Sequence, residues 1–276
     1  MSVELLSPAG DFDSALAAFR AGADAVYCSL AEFSARAFAK NLSRDELKNL
    51  IRYARAENKK VYVAFNTVID EGDLERAVEQ LSIIASCQPS AVIVQDLGIA
   101  RIAREFFPSL ELHASTQLVA HNLEGVLALG ELGFKRVVLA RELSIAEITS
   151  ISKRCGDIEL ECFIHGALCY SISGLCLFSA MEKNRSGNRG KCAYCCRLPY
   201  ESENGGKSLA FSMKDFRLGD DVKKLVDASV ASLKIEGRMK SPLYVAAATA
   251  YYRAILDGDK SAANVALKNL ETVYSR

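Results

Sequence analysis

Lys60-Val-Tyr-Val-Ala-Phe65, Leu74-Glu-Arg-Ala-Val-Glu-Gln-Leu-Ser-Ile-Ile-Ala85 and Ala91-Val-Ile-Val-Gln95 follow one another along the chain. The first and last are apolar runs rich in Val and Ile, which suits strands buried on both faces. The middle piece spaces its apolar residues to cover one face of a helix. Strand, helix and strand in this order make a parallel βαβ unit.

The alternation continues in both directions. Strand-like runs fall at 3–6, 25–29, 60–65, 91–95, 111–114, 136–139 and 159–164. Helical patterns fall between them at 12–21, 44–57, 74–85, 99–106, 123–132 and 145–154. Ser43 and Ser144 each stand before a helix with a glutamate three residues on, the pattern of a capping box. Gly22, Gly130 and Gly133 fall near helix ends, where a left-handed residue is useful. Seven successive βα units predict an α/β chain folded as a (β/α)8 TIM-barrel-like domain rather than an open sheet. A doubly wound sheet would more often place a glycine-rich phosphate turn after its first strand. Here that turn reads Ser7-Pro-Ala-Gly-Asp11. Residues 231–235 supply the eighth strand and 243–256 its helix, while 209–213 reads as an extra strand. The whole chain, 1–276, is then one barrel-like domain. Residues 165–217 form a cysteine-rich insert after strand seven, over the C-terminal mouth.

Half the residues are hydrophobic, enough for a sizeable core, and Lys+Arg balance Asp+Glu at 34 each. No global field draws the chain to nucleic acid, so any such contact needs a local patch. The start, Met1-Ser-Val-Glu-Leu-Leu-Ser-Pro8, has neither the basic nor the apolar region of a secretory signal. No apolar run is long enough to span a membrane. The expectation is a cytoplasmic chain with reduced thiols.

Five of nine cysteines crowd between Cys169 and Cys196. Cys28, Cys87, Cys155 and Cys162 lie in apolar or helical contexts and read as small buried hydrophobes. Cys169, Cys176, Cys192, Cys195 and Cys196 sit instead among glycines and polar residues. The spacing C-x6-C-x15-C-x3-C would bring four thiolates out of an irregular loop. Structural zinc prefers two short pairs, and only Cys192-Ala-Tyr-Cys195 is one. A 4Fe-4S cluster tolerates wider spacing and fits better, with zinc left open.

Between Lys183 and Tyr200 there are five basic residues, Arg185, Arg189 and Arg197 among them, and no acidic one. This reads either as a phosphate-contacting loop, with Tyr194 and Tyr200 free to stack on bases, or as a solvated loop balancing thiolates. Polar residues gather at the strand ends: Ser7 and Asp11, Asn66 and Thr67, Gln95 and Asp96, Ser115, Thr116 and Gln117, Arg141 and Glu142, His165, Glu236 and Arg238. Active sites of such barrels sit there; each residue alone reads more readily as a helix cap, and it is their convergence that points to a site.

Glu161-Cys-Phe-Ile-His-Gly-Ala-Leu-Cys169, continued by Ser173-Gly-Leu-Cys176, resembles the signature of peptidase family U32. So do Leu6-Ser-Pro-Ala-Gly10, His113-Ala-Ser-Thr-Gln117, Ala140-Arg-Glu-Leu-Ser144, Asn188-Arg-Gly-Lys-Cys192 and Ser232-Leu-Lys-Ile-Glu-Gly-Arg238. The family was named for collagenase-like proteolysis. Its better-understood members resemble oxygen-independent hydroxylation factors acting on tRNA wobble uridine, on a ribosomal cytidine or in ubiquinone biosynthesis. The resemblance implies a 4Fe-4S cluster on Cys169, Cys176, Cys192 and Cys196, with Cys195 outside it, and prephenate as oxygen donor. The Lys-Ile-Glu-Gly-Arg and Asn-Arg-Gly features resemble the tRNA branch. Some relatives carry a further cysteine where Arg217 follows Lys214-Asp-Phe216, and longer relatives continue past Val273-Tyr-Ser-Arg276.

Three functions are therefore carried forward. The first is tRNA 5-hydroxyuridine formation, with tRNA or another RNA and a dicarboxylic small molecule as partners. His165, Arg141, Glu142, Glu236 and Arg238 are its candidate catalytic residues. Ser115, Gln117, Arg185, Arg189 and Arg197 are its candidate substrate contacts. The second is a collagenase-like peptidase, for which a His165–Cys169 dyad is the best constellation, there being no HExxH or GxSxG. The third is an RNA-binding protein with a structural metal or iron–sulfur site.

Overall fold

Parallel strands buried on both faces can close on themselves only if helices cover the outside, and the element order does this. The structure is a computed structural model that describes residues 3–36, 39–203 and 205–273. The first two residues and 274–276, including most of the segment compared with longer relatives, lie outside the described residues.

The first half runs β1 (Glu4–Pro8), α1 (Phe12–Arg20), β2 (Ala25–Cys28), α2 (Arg44–Ala56), β3 (Lys60–Phe65), α3 (Leu74–Cys87), β4 (Ala91–Val94) and α4 (Leu97–Phe106). Then come β5 (Leu112–Ala114), α5 (Leu123–Glu131), β6 (Arg136–Val138), α6 (Ile145–Ser152) and β7 (Glu159–Ala167). The insert carries α7 (Phe178–Lys183), β8 (Tyr200–Glu201), β9 (Lys207–Ser208) and β10 (Asp215–Arg217). The chain ends with α8 (Val222–Asp227), β11 (Ser232–Ile235), α9 (Pro242–Asp257) and α10 (Lys260–Thr272).

Strands β1 to β7 pair in sequence order, and β11 pairs with both β7 and β1, all in parallel, so the barrel closes. Alternation along each strand sorts two cores. Leu6, Ala25, Tyr27, Tyr62, Ala91 and Ile93 pack inside the barrel. Their neighbours Leu5, Val26, Val61, Val63, Val92 and Val94 pack outward with the helices. Both expected capping boxes are present, at Ser43–Glu46 and Ser144–Glu147. Gly22 and Gly133 adopt positive φ just past helix ends, whereas Gly130 is helical, and a Cβ there would meet Ile158 at 2.3 Å.

The extra strand is displaced from its expected position. Residues 209–213 form a turn, and β10 at Asp215–Arg217 pairs antiparallel with the end of β7. Helices α8 and α10 were not read from the sequence. The turns of α10 contribute only Ala263, Ala266 and Leu270 to the core, a thin stripe that gives a weak signal. No helix among the described residues is long and apolar enough to cross a membrane.

Candidate functional site

The C-terminal ends of the strands open into one cavity of about 530 Å³, roofed by the insert. Inward residues of three strands make its floor: Tyr27 on β2, Phe163 on β7 and Lys234 on β11. Two arcs rise from it. One, after β3 and β5, is neutral and carries Asn66, Ser115, Thr116 and Gln117. The other carries Arg36, Arg141, Glu236 and Arg238.

The second arc is a charged knot. Glu236 pairs with Arg36 at 3.3 Å and with Arg141 at 3.5 Å. Burial alone would raise the Glu236 carboxyl, but Arg36, Arg141, Arg238 and Lys234 hold it below the usual carboxylate range. Arg141 lies 4.0 Å over the Phe163 ring and donates to the Ala167 carbonyl at 3.4 Å. Its Nε is buried without a partner among the described residues. Arg238 donates to the Ser29 and Ser34 hydroxyls, each at 2.7 Å. Lys234 Nζ stands 4.5 Å from the Tyr27 ring and is tied from below to Glu161 at 2.7 Å. Four cations against Glu236 and Glu161 leave the mouth suited to anions.

Glycines let the β11 loop reach this position. A Cβ on Gly10 would meet the Arg238 carbonyl at 2.1 Å. Gly166, at φ +109°, would meet the Glu236 carbonyl at 2.6 Å. Only glycine permits both approaches.

All five insert cysteines line the cavity. Cys169 is exposed, Cys176, Cys192 and Cys196 are half-buried, and Cys195 is buried. Burial raises the Cys192 and Cys196 thiols, and the neighbouring sulfurs of Cys169 and Cys176 add to it. No group of three or more His, Cys, Asp or Glu among the described residues could hold a metal ion. The five insert cysteines line the cavity from its roof, but no three of them are gathered as a metal-holding group among the described residues. Cys28, Cys87, Cys155 and Cys162 are buried, as their contexts implied.

The other candidate residues divide. Arg141, Glu236, Arg238, Ser115 and Gln117 line the cavity. His165 does not. It turns to α9, with Nδ1 3.3 Å from the Tyr252 hydroxyl, and burial lowers its pKa to about 4. Glu142 holds the insert, accepting from the Ser173 N–H at 2.7 Å and the Ser173 hydroxyl at 2.8 Å. Asp11 and Asp96 cap α1 and α4.

The three insert arginines staple the loop. Arg185 donates to the Lys191 and Cys192 carbonyls at 3.0 and 3.3 Å. Arg197 donates to the Leu168 carbonyl at 2.7 Å and the Met213 carbonyl at 2.5 Å. Arg189 pairs with Asp70 and Asp73. Arg189→Glu would set a third carboxylate against those two. It is expected to loosen the roof, read as at least about fivefold faster limited proteolysis within the insert. Cleavage at the wild-type rate would refute the staple.

Arg36 and the aromatic wall of Tyr170, Phe178 and Phe211 were missed. Arg36 lies in the irregular connection after β2, where no periodicity marks it. The aromatic wall is made by contacts across the insert, Tyr170 to Phe211 at 5.2 Å and Phe178 to Phe211 at 6.2 Å. Tyr200 packs behind it, 5.1 Å from Phe211, rather than facing a ligand.

Comparison with known proteins gives a consistent relationship. The sequence profile of peptidase family U32 matches residues 10–276. A Helicobacter pylori tRNA hydroxylation protein P is 38% identical over 272 residues, covering 92% of this chain and 64% of that protein. The chain thus spans less than two thirds of that relative's length. An Escherichia coli 23S rRNA 5-hydroxycytidine synthase is 40% identical over 261 residues, covering 92% of this chain and 39% of that one. A Porphyromonas gingivalis collagenase is 32% identical over 298 residues, covering 99% and 71%. Among solved structures, a U32 peptidase superposes with TM-score 0.58 at 12% identity, over 86% of this chain and 94% of that one. That last likeness bears on the fold.

Proposed function

The chain belongs to peptidase family U32, and we propose from that premise that it serves in oxygen-independent hydroxylation of an RNA base, forming 5-hydroxyuridine in tRNA. The observation that carries this reading is a single cavity with cysteines in its roof and a cationic arc in its wall. RNA work is named for the Helicobacter and Escherichia relatives, and it agrees with a cytoplasmic enzyme.

The proposed cofactor is a 4Fe-4S cluster held by Cys169, Cys176, Cys192 and Cys196. Their soft thiolates suit iron and sulfide, and a cluster spreads its ligands more widely than one zinc ion does. When bound it supplies one-electron chemistry for oxygen transfer. The protein's own residues do the rest. Arg36, Arg141, Lys234 and Arg238 would orient a dicarboxylic donor such as prephenate through charge-assisted forks. Glu236 stays ionised and keeps Arg36 and Arg141 aimed before the ligand arrives. The insert closes the mouth and limits water. The exposed Lys183 and Lys191 on the roof are the proposed phosphate contacts, since the insert arginines are engaged within the protein.

The peptidase reading has less support from the geometry. His165 bonds Tyr252, His113 bonds Glu111 at 2.9 Å, and His121 bonds the Val119 carbonyl at 3.0 Å. Each histidine is engaged away from the cysteines. Deleting the gene is expected to remove a hydroxylated nucleoside from total tRNA digests measured by mass spectrometry, and restoring it should bring that nucleoside back. Unchanged nucleosides together with cysteine-dependent gelatin cleavage by pure protein would restore the peptidase. Tight RNA binding without any modified nucleoside would favour a binding protein with a structural cluster.

A further inference from the structure

The neutral arc of the cavity has a fixed direction of hydrogen bonding. The Ala35 backbone N–H donates to Asn66 Oδ1 at 3.1 Å. A backbone N–H can only donate, so the Asn66 oxygen must face Ala35 and its nitrogen must face the other way. Asn66 Nδ2 accordingly donates to Gln117 Oε1 at 3.0 Å. The Ser115 hydroxyl donates to the same oxygen at 3.4 Å. With its oxygen held by two donors, the Gln117 carboxamide is left with Nε2, which has no partner among the described residues. Gln117 lines the cavity and is 8% exposed.

We infer that Gln117 Nε2 is a specificity-determining donor that reads the group on C4 of a pyrimidine, favouring the uracil carbonyl over the cytosine amino group. This rests on the RNA-base reading above. Any carboxylate in the cavity is drawn to the arginine arc, because an ionised fork outcompetes a neutral amide for it. The amide arc is left for a neutral polar ring. Its position also fits. A Cβ placed on Gly174 would stand 3.6 Å from Gln117 Cγ, and Gly174 lies in the roof between Cys169 and Cys176. A pyrimidine turning C5 toward that roof brings its neighbouring C4 substituent to Gln117. On uracil that substituent accepts, and on cytosine it donates. Two donors facing each other leave both unsatisfied in a buried place.

The test uses the full chain and two stem-loop RNAs that differ only in uridine or cytidine at one unpaired position. Wild type is expected to bind the uridine RNA about tenfold more tightly, since one mispaired polar group suffices for that. Gln117→Leu should bring the ratio near unity with an unchanged melting temperature. Gln117→Glu, whose carboxylate accepts, should move the preference toward cytidine. If that variant does not fold, Gln117→Leu carries the test alone. Equal binding of the two RNAs by wild type, or a full uridine preference in Gln117→Leu, overturns the inference. Failure of wild type to bind either RNA would instead count against the RNA reading itself.

Discussion

Anaerobically purified wild-type protein is expected to carry about four iron atoms per chain, and alanine at Cys169, Cys176, Cys192 or Cys196 should lower this below about one. Loss of one thiolate would open a corner of the proposed cluster, and Cys195, buried in the turn it opens, is expected not to take its place. Cys195→Ala should keep its iron. Cys195 is 2% exposed and opens the turn at Cys195–Arg197, just after Tyr194 at φ 56°. That left-handed residue helps turn two adjacent cysteines differently, one buried and one half-buried. Cys195→Ala should therefore cost stability, about 1 kcal/mol, rather than metal. The decisive measurement is iron and sulfide content beside the visible absorption spectrum. Iron lost from Cys195→Ala and kept in Cys196→Ala would reverse the assignment of the two neighbours. Zinc in place of iron, in protein never exposed to air, would replace the cluster altogether.

The barrel was legible because its signal is local. Runs such as Lys60–Phe65 and Ala91–Val94 are apolar on both faces, and two of the barrel's helices, α2 and α6, begin after Ser43 and Ser144 with a capping glutamate. The closing strand could be read because Ser232–Ile235 has the same character. Strand β10 could not. It has three half-buried or exposed residues, and its place depends on pairing with Gly166 and its neighbours. The turn at 209–213 carries Leu209, Phe211 and Met213, apolar enough to imitate a strand.

The site was legible by residue type and not by direction. Sequence spacing put Arg141, Glu142, His165 and Glu236 near one end of the barrel, but not the way each side chain turns. His165 ends on Tyr252 because the register shifts where Lys234 and Ile235 pass β7. Arg185, Arg189 and Arg197 looked free because their partners, Lys191 and Cys192 carbonyls, Asp70, Asp73 and the Leu168 carbonyl, are irregular backbone or distant acids. The charged filling of the barrel could not be read as a network: Lys234 stood out as a cation for a dicarboxylic donor, but Glu4 and Arg136 stand singly in otherwise apolar strands and Glu161 follows Glu159 in a strand whose pairing the sequence does not give.

That filling carries the largest effect expected on stability. Glu161 is fully buried, with Lys234 at 2.7 Å and Arg136 at 3.3 Å. Arg136 continues the chain of charges to Glu4 at 2.6 Å, and Tyr62 donates to Glu4 at 2.6 Å. Glu161→Ala would leave the buried Lys234 ammonium without its carboxylate, while Arg136 keeps Glu4 and Glu159, which should cost about 3–5 kcal/mol and roughly 6–15 °C in Tm. Burial alone would raise the Glu161 carboxyl, but Lys234, Arg136 and His113 bring it below its ordinary 4.5. Glu4 is lowered likewise, mainly by Arg136 against its own burial. The unfolded chain therefore binds protons first as pH falls. Stability from these carboxyls is fully present above about pH 4.5 and is lost as pH drops through their lower folded values. Denaturant midpoints measured down that range should fall steeply for wild type and less for Glu161→Ala. Glu161→Leu combined with Lys234→Met should regain most of the lost stability, because an apolar pair fills the same space without desolvated charge. It should still bind a dicarboxylate at least about tenfold more weakly, because the floor has lost its cation. A single Glu161→Ala variant within 1 kcal/mol of wild type would show that the interior charges do not act as one network.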